Sequence, residues 1–331
     1  MLGAVLPYRA ASRIQAAMTN VKPPTKPTLH GYLVIDKPGG WTSFDVVARA
    51  RRILGEKRIG HAGTLDPAAT GVLPLAVGAA TKTLEFLTDA SKTYLADITF
   101  GIETDSQDIE GRVTRISDAS GLTADDVTAA LQGMLGPQEQ IPPMHSAIKI
   151  GGQKLYELAR RGEEIERPPR PVIFYTLDLC AWNPPVATVL IDSSKGTYIR
   201  SLARDLGEVL GTGAYLSNLV RTRSGPFSLD DAITISELED LPWPWAWPDV
   251  AVHPDVPVQA WPALVLDDRA ATRWQQGATI PAHAGQDGAA GPVRAYDIAG
   301  RWLGTGYADE AGAGWRPGKV VTVTAGEGSA A

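Results

Sequence analysis

One stretch constrains this chain more than any other: Gly60-His61-Ala62-Gly63-Thr64-Leu65-Asp66-Pro67-Ala68-Ala69-Thr70-Gly71. It is built almost wholly of small residues, and Asp66 is its only acid. Gly60, Gly63 and Gly71 allow tight turns or the close approach of another group. Pro67 disfavours the α region for Asp66 and pushes it to extended backbone. The segment therefore reads as a loop that presents one carboxylate without crowding it. An isolated Asp-Pro pair would mark no more than a turn.

The sequence surrounding the loop sets limits on function. The single cysteine, Cys180, excludes an intramolecular disulfide and suits a reducing cytosol, so the expected location is cytoplasmic. No apolar run approaches the roughly 20 residues of a membrane helix. Residues 1–28 lack the long apolar core of a secretory signal and read as a flexible leader, with Met18 an alternative start. The formal charge of −6 is unevenly spread. Residues 228–331 hold 6 of the 31 basic and 14 of the 37 acidic side chains, a net of −8, which leaves the rest at +2. Within that remainder Arg49, Arg51, Arg52, Lys57 and Arg58 form one basic cluster and Arg160, Arg161, Arg167 and Arg170 another. Such patches can bind phosphates on an acidic protein, because screening confines each charge to about 10 Å. They also fit solvated helix faces.

Periodicity gives alternating strands and helices. Gly31 to Asp36 reads as a strand, and Thr42 or Ser43 caps a helix running to Leu54, with Phe44, Val47, Ala48 and Leu54 on its apolar face and Gly55 as its stop. In Lys92 to Phe100, Tyr94, Ala96, Ile98 and Phe100 share one side of a strand. Thr123 and Asp126 start a helix that ends near Gly136-Pro137. Val186 to Asp192 reads as a buried strand, and Ile199, Leu202, Ala203, Leu206, Val209 and Leu210 follow helical spacing. Ala214 to Arg223 reads as an extended segment containing Leu219. The Pro/Trp-rich connector, residues 236–262, breaks regular structure and packs its tryptophans on a neighbouring domain. Beyond it, Ala263 to Leu266, Pro292 to Ile298 and Val320 to Thr324 read as strands of a small β domain over 263–324, with a disordered tail over 325–331. The fold class is α+β.

Four blocks carry a further signal. They are Gly31 to Pro38 with Trp41-Thr42-Ser43; the Asp66 loop running on to Gly78-Ala79-Ala80-Thr81-Lys82; Lys92-Thr93-Tyr94 with Gly101 to Asp105; and Ser194-Lys195-Gly196-Thr197-Tyr198-Ile199-Arg200. Together with Ile141 to Lys149, in this order over about residues 30 to 228, they resemble the bacterial tRNA pseudouridine synthase B family, the enzymes that modify uridine 55 in the T-loop of tRNA. The resemblance implies a catalytic domain over 29–235 with a mixed, largely antiparallel central sheet flanked by helices. It also implies an RNA-clamping insert at about 141–170 and a C-terminal module of the PUA-like kind.

The same resemblance assigns roles. Asp66 would be the nucleophile, attacking the anomeric carbon of the sugar or the base, or starting an elimination at the sugar, and Arg200 would be the cation that lowers its pKa. Tyr94 would stack on the flipped base, with a possible proton-transfer role for its hydroxyl. Tyr198 and Leu219 would line the base pocket, and His61 would contact the RNA and help hold the flipped arrangement. Read without the resemblance, Arg200 suits a surface site, Tyr94, Tyr198 and Leu219 suit a core, and His61 suits a loop surface.

No cofactor is implied. The histidines His30, His61, His145, His253 and His283 are scattered and one cysteine cannot build a thiolate cluster, so no metal is expected. Neither a P-loop nor a dinucleotide fingerprint is present. The expected protein is a monomer that acts on the tRNA T-arm without a guide, away from membranes. A synthase for another RNA, with or without a guide, and an RNA-folding chaperone are the alternatives.

Overall fold

The computed structural model describes residues 29–281, apart from 147, 156, 157, 159, 160 and 164, together with 291–309 and 314–321. The leader over 1–28, the tail over 325–331 and part of the RNA-clamping insert expected at about 141–170 lie outside the described residues.

Alternating apolar residues generate a nine-stranded mixed sheet. Its path starts with β1 (Gly31–Lys37) and includes β3 (Thr70–Val77) and β4 (Lys92–Phe100), with β2 (Ile59–His61) at its side. The remaining members are β5 (Gly136–Gln140), β6 (Arg170–Asn183), β7 (Val186–Ser193), β8 (Ala214–Ser224) and β9 (Phe227–Ser228). The order is β1-β3-β8-β4-β7-β6-β5, with β2 on β3 and β9 on β8. Only the β3–β8 pair is parallel, and it is two residues long, Val220 opposite Thr70 and Arg221 opposite Gly71. The sheet is thus mixed and largely antiparallel, as expected.

Helices cover the sheet. Thr42 and Asp45 form a reciprocal capping box for α1 (Ser43–Leu54), and Gly55, at φ 64°, ends it. The buried stripe of α1 is Ser43, Val46, Val47, Ala50 and Leu54. This corrects the face read from the sequence: only Val47 and Leu54 were placed properly, while Phe44 is 73% exposed and Ala48 is exposed too. At about 100° per residue, 44 and 48 lie to one side of the 43-47-50-54 line. The short α2 (Leu84–Thr88) precedes β4, and α3 (Ala124–Gly133) starts with a second capping box, Thr123 with Asp126. Helix α4 (Ile199–Val209) buries Ile199, Leu202, Ala203 and Leu206 against Tyr94, Ala96, Ile98 and Phe100 of β4.

The connector is more regular than its prolines suggest. It contains α5 (Ile235–Asp240), capped by Thr234 and Glu237, and α6 (Trp247–Val250), with Pro248 in the first turn where a missing N–H costs nothing. Of the tryptophans expected to pack, Trp247 enters the core formed by β1, β3 and α1 and Trp243 is partly buried against it, whereas Trp245 is 46% exposed.

The C-terminal domain is a five-stranded sheet in the order β10 (Ala263–Leu266), β12 (Pro292–Asp297), β13 (Trp302–Ala308), β14 (Gly314–Val320), β11 (Ile280–Pro281). Two of the three expected strands match. The third lies earlier than read, since β14 ends at Val320, where the run to Thr324 was expected to begin, and 322–324 lie outside the described residues. An unanticipated helix, α7 (Asp268–Gln275), fills the domain core with Trp274. The domain docks on the catalytic unit through Trp302 and Val321 packed with Ala79, the bond from Lys82 Nζ to the Val320 carbonyl at 2.6 Å, and the Lys319–Glu85 pair at 3.2 Å.

Candidate active site

The loop around Asp66 is pinned on both sides of the carboxylate. Leu65 donates its N–H to Ser43 Oγ at 2.9 Å and accepts from the same hydroxyl at 3.2 Å, which ties it to the first turn of α1. Beyond Asp66, the Pro67 carbonyl accepts from the Gly40 N–H at 2.9 Å and from Lys37 Nζ at 3.1 Å. Lys37, fully buried at the end of β1, also donates to the carbonyls of Pro38 at 2.8 Å and Trp41 at 2.7 Å. Burial lowers its pKa to about 8, against the pull of Asp66. The ammonium therefore works as a three-way tie between β1 and the loop. Gly71 closes the loop at φ 97°, and a Cβ there would sit 2.3 Å from the Arg221 carbonyl oxygen, so the β3–β8 contact requires glycine.

Arg200 approaches from the first turn of α4. Its Nε lies 3.0 Å from one oxygen of Asp66 and its Nη2 3.3 Å from the other, a forked pair that fixes the plane of the carboxylate. Two backbone carbonyls, Ser106 at 3.3 Å and His145 at 2.9 Å, take further N–H groups. A second carboxylate, Asp108, stands 3.4 Å from Nη1. Only 6% of the Arg200 side chain is exposed, against 42% for Asp66. The anchor is buried and the anion accessible.

The electrostatics correct one expectation. Arg200 does pull the Asp66 pKa down, as does Lys37, but desolvation is the larger effect and Asp108 reinforces it, so the carboxyl is held above its ordinary range. The guanidinium is shared between two acids, which limits what it gives to either.

Tyr94, 9% exposed, lies in the same apolar cluster as Leu65, Ile199 and Leu219. Burial raises its pKa, while Arg221 opposes the rise. Leu219, 8% exposed, is opposite Ala96 on β4. Tyr198 precedes α4 and is half-buried, and desolvation raises its pKa. The side chain of Gln140 holds the Tyr198 backbone, donating to its carbonyl at 3.0 Å and accepting its N–H at 2.8 Å. His61 is half-buried at the start of the loop, and burial and then Arg221 lower its pKa, which favours the neutral ring. Asp66 and Arg200 thus meet directly, Tyr94 and Leu219 share an apolar cluster with Leu65 and with Ile199 of α4, Tyr198 immediately precedes that helix, and His61 stands at the start of the loop.

Sequence reading missed Asp108, Arg221, Lys37 as a tie, and Gln140. Arg221 left the clearest trace: it stands two residues beyond Leu219 in a strand, so a charge falls on the apolar face. Asp108 lay within an unremarkable polar run. Several members of the basic clusters are engaged within the protein, since Arg49 pairs with Glu239 at 2.6 Å, Arg51 donates to the Ile59 carbonyl at 2.7 Å, and Arg161 pairs with Glu163 at 2.9 Å, while Arg160 lies outside the described residues.

Comparison with known proteins shows the family of the chain. Residues 51–199 match the N-terminal domain of the TruB family pseudouridylate synthases. Residues 200–250 match the tRNA pseudouridylate synthase B C-terminal domain, and 262–313 match the C-terminal domain of pseudouridine synthase II TruB. A tRNA pseudouridine synthase B of Symbiobacterium thermophilum is 54% identical over 211 residues, 63% of this chain and 71% of the relative. One from Synechococcus sp. is 44% identical over 280 residues, 83% of this chain and 93% of the relative. Among solved structures, a chain of a Cbf5-Nop10-Gar1 complex superposes with a TM-score of 0.64 at 27% identity, covering 89% of this chain and 85% of that one. A chain of an H/ACA ribonucleoprotein bound to a substrate RNA shares the fold, with a TM-score of 0.65 at 23% identity over 89% of this chain and 86% of that one. The pinned aspartate, its buried arginine and the sheet that joins them therefore sit in a scaffold common to these proteins, and the chain belongs to the TruB family of pseudouridylate synthases.

Proposed function

We propose that this chain isomerises the T-loop uridine of tRNA, position 55, to pseudouridine, with Asp66 as the nucleophile, and that it works in the cytoplasm as a monomer without a guide RNA. The observation that carries the reading is the pairing of an accessible carboxylate with a buried, forked guanidinium. Relatives at 43–54% identity are named tRNA pseudouridine synthase B, which supports tRNA as the substrate. No helix among the described residues is long and apolar enough to cross a membrane.

The reaction breaks the bond from ribose C1′ to uracil N1, forms one from C1′ to C5, and in net terms moves a proton from C5 to N1. Extruding the uridine costs a few kcal/mol, and stacking on an aromatic ring returns about 1–3 kcal/mol per base. Tyr94 supplies that face, with Tyr198 and Leu219 completing the pocket and His61 contacting the RNA. Asp66 then attacks C1′ or the base, or removes a proton from the sugar to start an elimination. Each route needs the ionised carboxylate, which Arg200 and Lys37 favour electrostatically. The segment beginning at Ile141 is tied to this centre, because Ser201 Oγ donates to the Ile141 carbonyl at 2.9 Å and Arg200 to that of His145. This supports its role as a clamp on RNA.

The test is site-resolved pseudouridine mapping of unmodified tRNA transcripts after incubation with the protein. Conversion at position 55 alone, lost when that uridine is replaced by cytidine, is expected. Conversion elsewhere, or none, overturns the assignment.

A further inference from the structure

The insert over about 141–170 is closed at its neck, where Gln140, the last residue of β5, pairs with Arg170, the first of β6. The Gln140 side chain turns from that ladder toward α4. It is 4% exposed, and its Nε2 donates to the Tyr198 carbonyl at 3.0 Å while its Oε1 accepts the Tyr198 N–H at 2.8 Å. A carboxamide carries the same donor and acceptor as a peptide group, so one side chain supplies what a neighbouring strand would. It does so where the chain has left the sheet. After β7 the Ser194 N–H donates to the Ile173 carbonyl at 2.9 Å, the backbone turns through Gly196 at φ 78°, and Tyr198 caps α4 with no side-chain bond of its own.

Three further bonds join the neck to the same helix. Ser201 Oγ donates to the Ile141 carbonyl at 2.9 Å, Arg204 Nη2 to the same oxygen at 3.4 Å, and Arg200 Nη2 to the His145 carbonyl at 2.9 Å. Each of these three is made by a side chain of α4, which can rotate without moving the helix. Of the five bonds, only the two from Gln140 grip backbone on the α4 side. The Tyr198 carbonyl already accepts the first helical bond, from Leu202 at 3.2 Å, so the pair with Gln140 fixes the direction in which the helix begins. Arg200 follows two residues later and reaches Asp66 from there with both limbs of its fork. A displacement of about 1 Å at a reacting centre can cost about 100-fold in rate, so the start of α4 is a sensitive point.

We propose that Gln140 is a positioning residue for the isomerisation: by holding both polar groups of the Tyr198 backbone it fixes the first turn of α4, and with it Arg200 against Asp66, to the neck of the insert. The inference rests on the Asp66–Arg200 chemistry of the proposed function. Gln140 acts through Tyr198 and Arg200 rather than on the uridine.

The experiment uses the full-length protein with Gln140→Met, which keeps the length and loses both bonds, and Gln140→Glu, which keeps both only when protonated. Single-turnover conversion of an unmodified tRNA transcript at saturating enzyme is measured beside tRNA affinity and urea unfolding. Gln140→Met should convert roughly 10- to 100-fold more slowly, the scale of a displaced reacting group, with affinity within about threefold. The ionised carboxylate of Gln140→Glu accepts the Tyr198 N–H but repels the Tyr198 carbonyl, whereas the neutral acid donates and accepts as the amide does. Burial raises a carboxyl pKa, so the rate of this variant divided by that of wild type should climb as pH falls from about 8 to about 5.5, while the ratio for Gln140→Met stays flat. Division by wild type removes the titration of Asp66, which all three share. A Gln140→Met protein as fast as wild type overturns the proposal, however much stability it loses, and so does a Gln140→Glu ratio that ignores pH. Weaker binding with an unchanged saturated rate would place Gln140 in RNA binding alone and overturns it too. A wild type that fails to convert the transcript removes the proposed function and this inference with it, while conversion by wild type leaves that function standing whatever the variants do. Should Gln140→Met not fold, the pH dependence of the Gln140→Glu ratio decides.

Discussion

Replacing Arg200 with lysine tests the geometry of the site at its most connected point. The guanidinium meets Asp66 twice, at 3.0 and 3.3 Å, Asp108 at 3.4 Å, and the carbonyls of Ser106 and His145 at 3.3 and 2.9 Å. A lysine ammonium carries its three protons at one point. It can reach Asp66 or Asp108, but it cannot span both and the two carbonyls. If it stays with Asp66, one limb of the fork is lost and the carboxylate can rotate, at a cost of about 1.5–3 kcal/mol for one charge-assisted bond. At about 1.4 kcal/mol per tenfold, this slows chemistry by about 10- to 150-fold. Because Arg200 is 5% exposed, tRNA affinity should change less than about threefold. The assay is single-turnover conversion with enzyme in excess, beside a filter-binding isotherm. A lysine variant within about threefold of the wild-type rate would show that the fork does not orient Asp66, and the reasoning from bidentate geometry would fail.

Three further outcomes are expected. Gly71→Ala combines a positive φ with a Cβ 2.3 Å from a backbone oxygen, and should lower stability by at least about 2 kcal/mol in urea unfolding; a loss under about 0.5 kcal/mol would contradict the close β3–β8 approach. Lys37 has a pKa of about 8 in the folded state and 10.5 as its ordinary value, so the folded protein binds fewer protons between these limits; wild type should gain stability relative to Lys37→Met as pH rises from 8 to 10.5, and a flat difference would contradict the buried ammonium. Because Asp66 reacts ionised and its pKa is raised, the single-turnover rate should fall on acidification with a midpoint above the ordinary aspartate value of about 3.9; Asp108→Asn, by removing a like charge, should move that midpoint lower, and an upward shift would contradict the assigned sign.

The sequence made legible what is local or repeats with a period. The capping boxes at Thr42 and Thr123 and the alternation from Tyr94 to Phe100 follow from short-range rules, and the structure agrees with each. The face of α4 holds for Ile199, Leu202, Ala203 and Leu206 but not for Val209, which is 65% exposed in the last turn. The extended conformation of Ala214 to Arg223 also holds, as β8. Apolar size misled at Phe44, where helix geometry rather than hydrophobicity decides exposure. The six flagged site residues came from motif resemblance, and no periodicity in the chain connects Asp66 with Arg200, 134 residues away. What remained hidden depends on pairing between distant segments. Lys37 becomes a tie only when the Pro67 carbonyl arrives, Asp108 matters only once Arg200 is folded against it, and Arg221 acquires meaning from the strands on either side.

The central claim is that the Asp66 carboxylate carries the chemistry, and Asp66→Asn measures it most directly, since the amide keeps the shape and removes the charge. The variant should bind tRNA within about threefold of wild type and form no detectable pseudouridine over many wild-type half-lives. Conversion at the wild-type rate would contradict the account at its root.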